Sequence, residues 1–420
     1  MAVQDNNLLT TDLIMKEALR LLKNNLVMAP LVHRNMEKEF GKVGDNIRIK
    51  LPYRTRTASG RTLVKQPMTD LTTNLTIDNQ EHFGIEYTAK DLRLDIMSFS
   101  DRYLKSGIVQ IANVIDRSIL LTMKNTFHSS LAAGGIGTRP GAFIDFANAG
   151  AKQTTYAVPS DGMRHAILNP FTCAQLSDEV TKLFNPGMVS GSYRKNYKGD
   201  VAGYGTYESQ NIPTHTVGDH GGTPLNDGAG ANGSTINIKG GSLTTTDFLL
   251  AGDVITVAGV FGVNPQSYAS TGILQEFVVQ ADVDTDGSGD VAVLVFPALN
   301  DGTGTITNSE GQTVSTKGYQ NINALPADNA PITVLGAANT EYEQNFLFHR
   351  DAVALAMIQF EIPKTAVVAE RVTDPDTGLS LMMTGDYDIT EQSEIHRIDA
   401  LWGTKAIYPE LALRLWGQAL

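Results

Sequence analysis

A single cysteine, Cys173, stands among 420 residues. One thiol cannot close a disulfide within the chain or build a Cys-based zinc site, so it reads as a small buried hydrophobe suited to a reducing compartment. Cations are scarce as well: 33 Lys and Arg face 45 Asp and Glu, a formal net charge of -12. That deficit excludes a protein whose main task is coating nucleic acid, because phosphate neutralisation needs clustered Lys and Arg. No apolar run reaches the roughly 18 residues of a membrane helix. The polar, acidic start MAVQDNNLL does not fit a signal peptide. The expectation is a soluble chain with no membrane partner. Catalytic patterns are missing too, with no GxSxG elbow, Walker A loop, HExxH or GxGxxG, and the eight His are scattered. No catalytic, cofactor-binding or metal-binding residue is therefore predicted.

What is present is globular: 42% hydrophobic and 19% charged residues, with length enough for two or three domains. Residues 5–28 read as an amphipathic helix whose stripe includes Leu9, Leu13, Ala18, Leu21 and Leu22, with Thr10 and Thr11 as candidate caps. Ile47, Ile49 and Leu51 alternate with Arg48 and Lys50, and a second alternating run goes from Leu71 through Ile77 to Phe83, Ile85 and Tyr87. These predict a long two-stranded excursion. It carries Arg48, Lys50, Arg54, Arg56, Arg61 and Lys65, with no acidic residue between Asp45 and Asp70. Arg54, Arg56, Arg61 and Lys65 are the candidates for contact with an acidic neighbouring copy, where opposite charges set register.

From Ser98 to Leu131 the spacing of Leu104, Ile108, Ile111, Ile115 and Ile119 predicts a long helix, with Asp116 off the stripe and Gly134-Gly135 ending it. His165 to Leu168 predicts a strand, and Asn169-Pro170 opens a helix towards Phe184. Composition then shifts. Asp219 to Asp301 holds ten acidic residues against one basic residue, Lys239, with short β-runs between Gly and Asp turns. This predicts a small all-β module inserted into an α/β domain. Within it, Asp282, Asp284, Asp286 and Asp290 imitate part of a calcium loop. Val293 stands where the bidentate Glu belongs, so a polar turn is the favoured reading. The C-terminal stretch from Glu394 predicts strand pieces about a turn at Gly403-Thr404.

Arm, two-stranded excursion, spine helix and α/β domain, in that order, resemble the HK97-type capsid fold. The inserted module resembles that of the P22-like phage coat proteins. The resemblance is carried by Leu168-Asn169-Pro170-Phe171, Val201 to Tyr204, Ile212-Pro213, Gly252 to Val260, Phe277 to Val279, Tyr319 to Asn323, Asn345 to Ala352, Arg397 to Gly403 and Pro409-Glu410. It implies an α+β fold with an N-terminal arm (1–44), an extended E-loop (45–90) and a P domain with the spine helix (91–163). The first part of an A domain (164–217), the inserted β domain (218–334) and the rest of the A and P domains (335–420) follow. It further implies a major capsid protein and not an enzyme, assembled in the bacterial host cytoplasm and resident in the virion capsid. Its partners would be many copies of itself in hexamers and pentamers, a scaffolding protein, a portal protein and, by weak non-specific contact, double-stranded DNA. Asp5, Asp12 and Glu17 are the scaffold-contact candidates, and loop 221–235 or the Asp282–Asp290 turn is the candidate for contacts between capsomers. Gly41, Gly44 and the flanks of the spine helix are the expected hinges for shell expansion. Two alternatives remain: an encapsulin-like compartment shell, and an enzyme or carbohydrate-binding protein built around the β module.

Overall fold

The computed structural model describes residues 11–34, 46–52, 54–57, 59–63, 65, 72–88, 105–182, 199–307, 313–363, 368–374, 378–390 and 393–419. Two compact units divide the chain, Met1–Arg48 with Asn74–Ile119 and Val353–Lys405, and Ile49–Thr73 with Leu120–Ala352 and Ala406–Leu420. The architecture is α+β and rich in sheet, with four α-helices among the described residues.

In the first unit, α1 (Thr11–Asn25) buries Met15, Ala18 and Leu22, and Leu26 beyond it, at the i, i+3, i+7 spacing of one helical stripe. That stripe lies on the strands Val368–Thr373 and Ser380–Asp388, and Lys23 pairs with Asp374 at 2.8 Å. These strands belong to a five-stranded sheet whose longest member, Ser393–Ala406, pairs on its other side with Asn79–Thr88. The alternating run from Leu71 is therefore broken after Ile77. Thr72–Thr76 joins Asn46–Lys50 in a separate two-stranded sheet, and the rest pairs with Ser393–Ala406. The predicted turn at Gly403-Thr404 is likewise absent. The strand runs straight through it, because a Cβ at position 403 would stand 2.2 Å from the Thr76 carbonyl oxygen, and glycine lets that backbone pass.

The spine helix α2 (Lys105–Thr126) buries Ile108, Ile111, Ile115 and Ile119 as the spacing demands. It stops at Thr126, short of the glycines. Phe127 turns into the core against Phe346, 6.1 Å between ring centroids, and Ser130–Gly137 is drawn into a sheet as a strand parallel to Ala412–Ala419.

Asp116 departs from its sequence reading. It is 1% exposed, and its two carboxylate oxygens accept the Val27 and Met28 N–H groups at 2.9 and 3.0 Å. Burial pushes its pKa up to about 6, against the two hydrogen bonds that pull it down. The folded state thus holds this proton more tightly than the unfolded chain. Its stabilising contribution is complete below the ordinary value of 3.8 and is lost as pH rises through about 6. A shift of this size corresponds to ~3 kcal/mol. The expected result is an unfolding free energy, wild type minus Asp116→Asn, that falls by ~2–3 kcal/mol between pH 4 and pH 7 in urea titrations. A difference independent of pH would contradict the burial.

In the second unit a seven-stranded mixed sheet runs in the order Ser130–Gly137, Ala412–Ala419, Glu341–His349, Arg164–Leu168, Tyr204–Glu208, Asp200–Val201, with Thr214–Thr216 also on Glu341–His349. Helices α3 (Phe143–Thr155) and α4 (Pro170–Thr181) cover one face through Phe146, Ala149, Cys173 and Leu176. Asn169 caps α4 through its side-chain oxygen to the Phe171 N–H at 2.9 Å, with Pro170 at the first helical position. Cys173 is buried.

The acidic stretch forms its own six-stranded antiparallel sheet, ordered Ile332–Val334, Val254–Val263, Ser270–Val279, Val291–Leu299, Gly233–Gly241, Gly222–Asn226. Its core comprises Ile236, Ile238, Ile255, Val257, Phe277, Val279, Val293, Val295 and Phe248. The chain enters and leaves this module side by side. The Val217 N–H donates to the Thr340 carbonyl at 3.0 Å, and the Asn339 N–H donates to the Val217 carbonyl at 3.1 Å.

Candidate functional site

Where the module meets the seven-stranded sheet, buried charge stitches the two. Asp253, 0% exposed, accepts from His215 Nε2 at 2.8 Å, from the Leu250 N–H at 2.7 Å and from the Gly218 N–H at 3.2 Å. Burial holds the His215 pKa below its ordinary value despite that carboxylate. Arg414, also 0% exposed, donates twice to Gln344 Oε1 and once to the Gly252 carbonyl at 2.7 Å, with its guanidinium 5.2 Å from the Trp416 ring centre. Burial pushes it down to about 10, which leaves it charged at neutral pH. Lys152 of α3 grips both oxygens of Glu276, on the module, at 2.9 and 2.8 Å. None of these residues was singled out in the sequence, where isolated charges carry no sign of burial.

The basic excursion divides in two. Arg54 pairs with Glu410 and lies 5.8 Å from the Tyr319 ring centre. Arg56 stacks 4.0 Å over Tyr268 and donates to Gln320. Both thus have partners within their own chain. Arg61 and Lys65 are exposed, as is Leu63 between them at 80%.

Of the arm candidates, Asp5 lies outside the described residues, as do Gly41 and Gly44, and Asp12 is in α1. Glu17 takes both nitrogens of Arg20 at 2.6 and 2.8 Å, and those hydrogen bonds hold its carboxyl below the usual range. In the module, Asp282 accepts from the Ala251 N–H, Asp284 from the Asp247 N–H, and Asp286 from the Ser288 and Asp290 N–H groups, all between 2.8 and 2.9 Å. Asp290 is exposed. Only Asp286 thus closes its own turn, while Asp282 and Asp284 reach across to the segment 247–251. Among the described residues no group of three or more His, Cys, Asp or Glu is arranged to hold a metal ion. Of the expected loop 221–235, residues 222–226 and 233–235 are strand and only 227–232 is loop, tied by Lys239, which bonds Asp227 at 3.1 Å and Asp328 at 2.9 Å. No described helix is long and apolar enough to cross a membrane.

The described residues thus hold an amphipathic helix, an exposed basic segment and an acidic six-stranded sheet joined to the seven-stranded one by buried polar contacts. Against known families, the model described as P22 coat protein, gene protein 5, matches residues 1–417. The chain belongs to the P22 coat protein family. This coat-protein membership spans every element described above. No protein of curated function matches the chain. Among solved structures, a chain of Mycobacterium phage Che8 is 14% identical, with 93% of this chain and 90% of that one covered at a TM-score of 0.46. The capsid of Ralstonia phage GP4 is 7% identical, covering 94% and 88% at 0.45. The capsid of Cyanophage P-SCSP1u is 11% identical, covering 93% and 88% at 0.42. At these values the likeness is one of loose outline, and the assignment rests on the family match.

Proposed function

We propose that this coat protein is the major capsid protein of a tailed bacteriophage, with an HK97-type fold carrying an inserted β domain. Many copies assemble, guided by a scaffolding protein, into an icosahedral shell that expands as double-stranded DNA is packaged. The family match over residues 1–417 carries this reading. The exposed tip of Arg61, Leu63 and Lys65, on a chain of net charge -12, supports it physically. A cationic, apolar tip finds its complement on the acidic surface of another copy, and many weak contacts of this kind close a shell that no single contact would hold. The Asp282–Asp290 turn or the segment 221–235 is the proposed point of contact between capsomers. Asp12 and Glu17 are proposed on the scaffold-facing side of the arm, and a portal protein at one vertex completes the partners.

Negative-stain microscopy of the purified protein, alone and with its scaffolding protein, tests the proposal. Closed particles of uniform diameter are expected. A compact monomer that forms no particles under either condition would overturn it.

A further inference from the structure

We propose that the inserted module is the platform that aims the basic excursion, so that only its outer part, with Arg61, Leu63 and Lys65, is presented to a second copy. The inference deepens the capsid reading and rests on it for its assembly readout alone. Its basis is a set of contacts made within one chain. Tyr268 sits at the tip between the strands Val254–Val263 and Ser270–Val279 and provides the ring under Arg56. Its hydroxyl donates to the Gly318 carbonyl at 3.1 Å and lies 3.4 Å from the Thr55 carbonyl oxygen. Gln320 accepts from Arg56, and Tyr319 flanks Arg54. Gly318 allows the approach itself, since a Cβ there would stand 2.4 Å from the Arg54 carbonyl oxygen.

Tyr268 holds this place at a cost. Its φ of 55° lies in the left-handed region that a bulky side chain rarely occupies. Such strain persists where the surrounding contacts require the side chain. A turn needed only to join two strands is better served by glycine. The tyrosine is there for what it touches, and it touches the excursion. Arg54 and Arg56 are accordingly positioning residues, set apart from the tip that meets a neighbour.

Two variants remove the platform by different routes. Tyr268→Gly relieves the backbone strain and deletes the ring. Gly318→Ala keeps every side chain and pushes the Arg54 backbone away. Both are expected to lower the yield of closed particles by roughly tenfold, because a misdirected arm fails at every repeated contact. The thermal midpoint of Tyr268→Gly is expected to fall only slightly, since relief of the φ strain offsets much of the loss of the ring contacts and the added freedom of the unfolded chain. Tyr268→Phe, which keeps the ring under Arg56, is expected to recover most of the yield. Limited trypsin digestion of the unassembled protein gives an independent measure: cleavage after Arg54 and Arg56, whose side chains are engaged, is slower than after the exposed Arg61 in the wild type, and speeds up in Tyr268→Gly. Normal particle yield in both variants, or equal wild-type cleavage after Arg56 and Arg61, would overturn the inference. A wild-type protein that forms no particles would instead strike at the capsid reading, leaving the digestion to decide this one.

Discussion

Replacing Arg61 and Lys65 together by glutamate is expected to give a folded monomer that no longer closes into shells. Both residues are exposed, so the unfolding free energy should change by no more than ~0.5 kcal/mol. Assembly responds quite differently. Reversal places like charges against the acidic surface of a neighbour, a juxtaposition that costs several kcal/mol at one contact and recurs at every copy. The neutral pair Arg61→Ala and Lys65→Ala should fall between, retaining the Leu63 anchor while losing the attraction. Salt should slow wild-type assembly, since the screening length falls from ~10 Å at 0.1 M to ~3 Å at 1 M, and should matter little for the neutral pair. Urea unfolding with particle counts by microscopy separates the two effects. Normal shells from the glutamate pair would end the idea that the tip docks through its charge.

Arg414→Ala should lower the unfolding free energy by ~3–5 kcal/mol. Truncation strands Gln344 Oε1 and the Gly252 carbonyl in a buried setting and opens a void beside Trp416. Arg414→Met fills much of that volume and carries no charge to desolvate, so it should cost only ~1–3 kcal/mol. The contrast matters more than either value. If Ala and Met cost the same, volume is irrelevant and the hydrogen bonds alone fasten the module. If Ala costs under ~1 kcal/mol, the guanidinium does not fasten it at all.

Helical and strand periodicity made much of this fold legible. Ile108, Ile111, Ile115 and Ile119 are buried where a 3.6-residue period puts them, and Ile236, Ile238, Val293 and Val295 where a period of two does. Both patterns come from local geometry, so a linear sequence carries them. What stayed hidden depends on distant partners. Asp116 reads as a solvent-facing charge until the N–H groups of Val27 and Met28 are brought to it from 89 and 88 residues away. Arg414 reads as one polar residue in an alternating strand until Gly252, 162 residues distant, supplies its acceptor. Arg54 and Arg56 were legible as basic but not as engaged, because their aromatic and carboxylate partners lie more than 200 residues on. Gly403 looked like a turn for a related reason: what it accommodates is a backbone far away in sequence.

The two hydrogen bonds joining residue 217 to residues 339 and 340 have an evolutionary consequence. A cut at these two touching points would displace no strand of the host sheet. It would still strip Arg414, His215 and Lys152 of Gly252, Asp253 and Glu276, so the module and the sheet beneath are bound to change together at these partners.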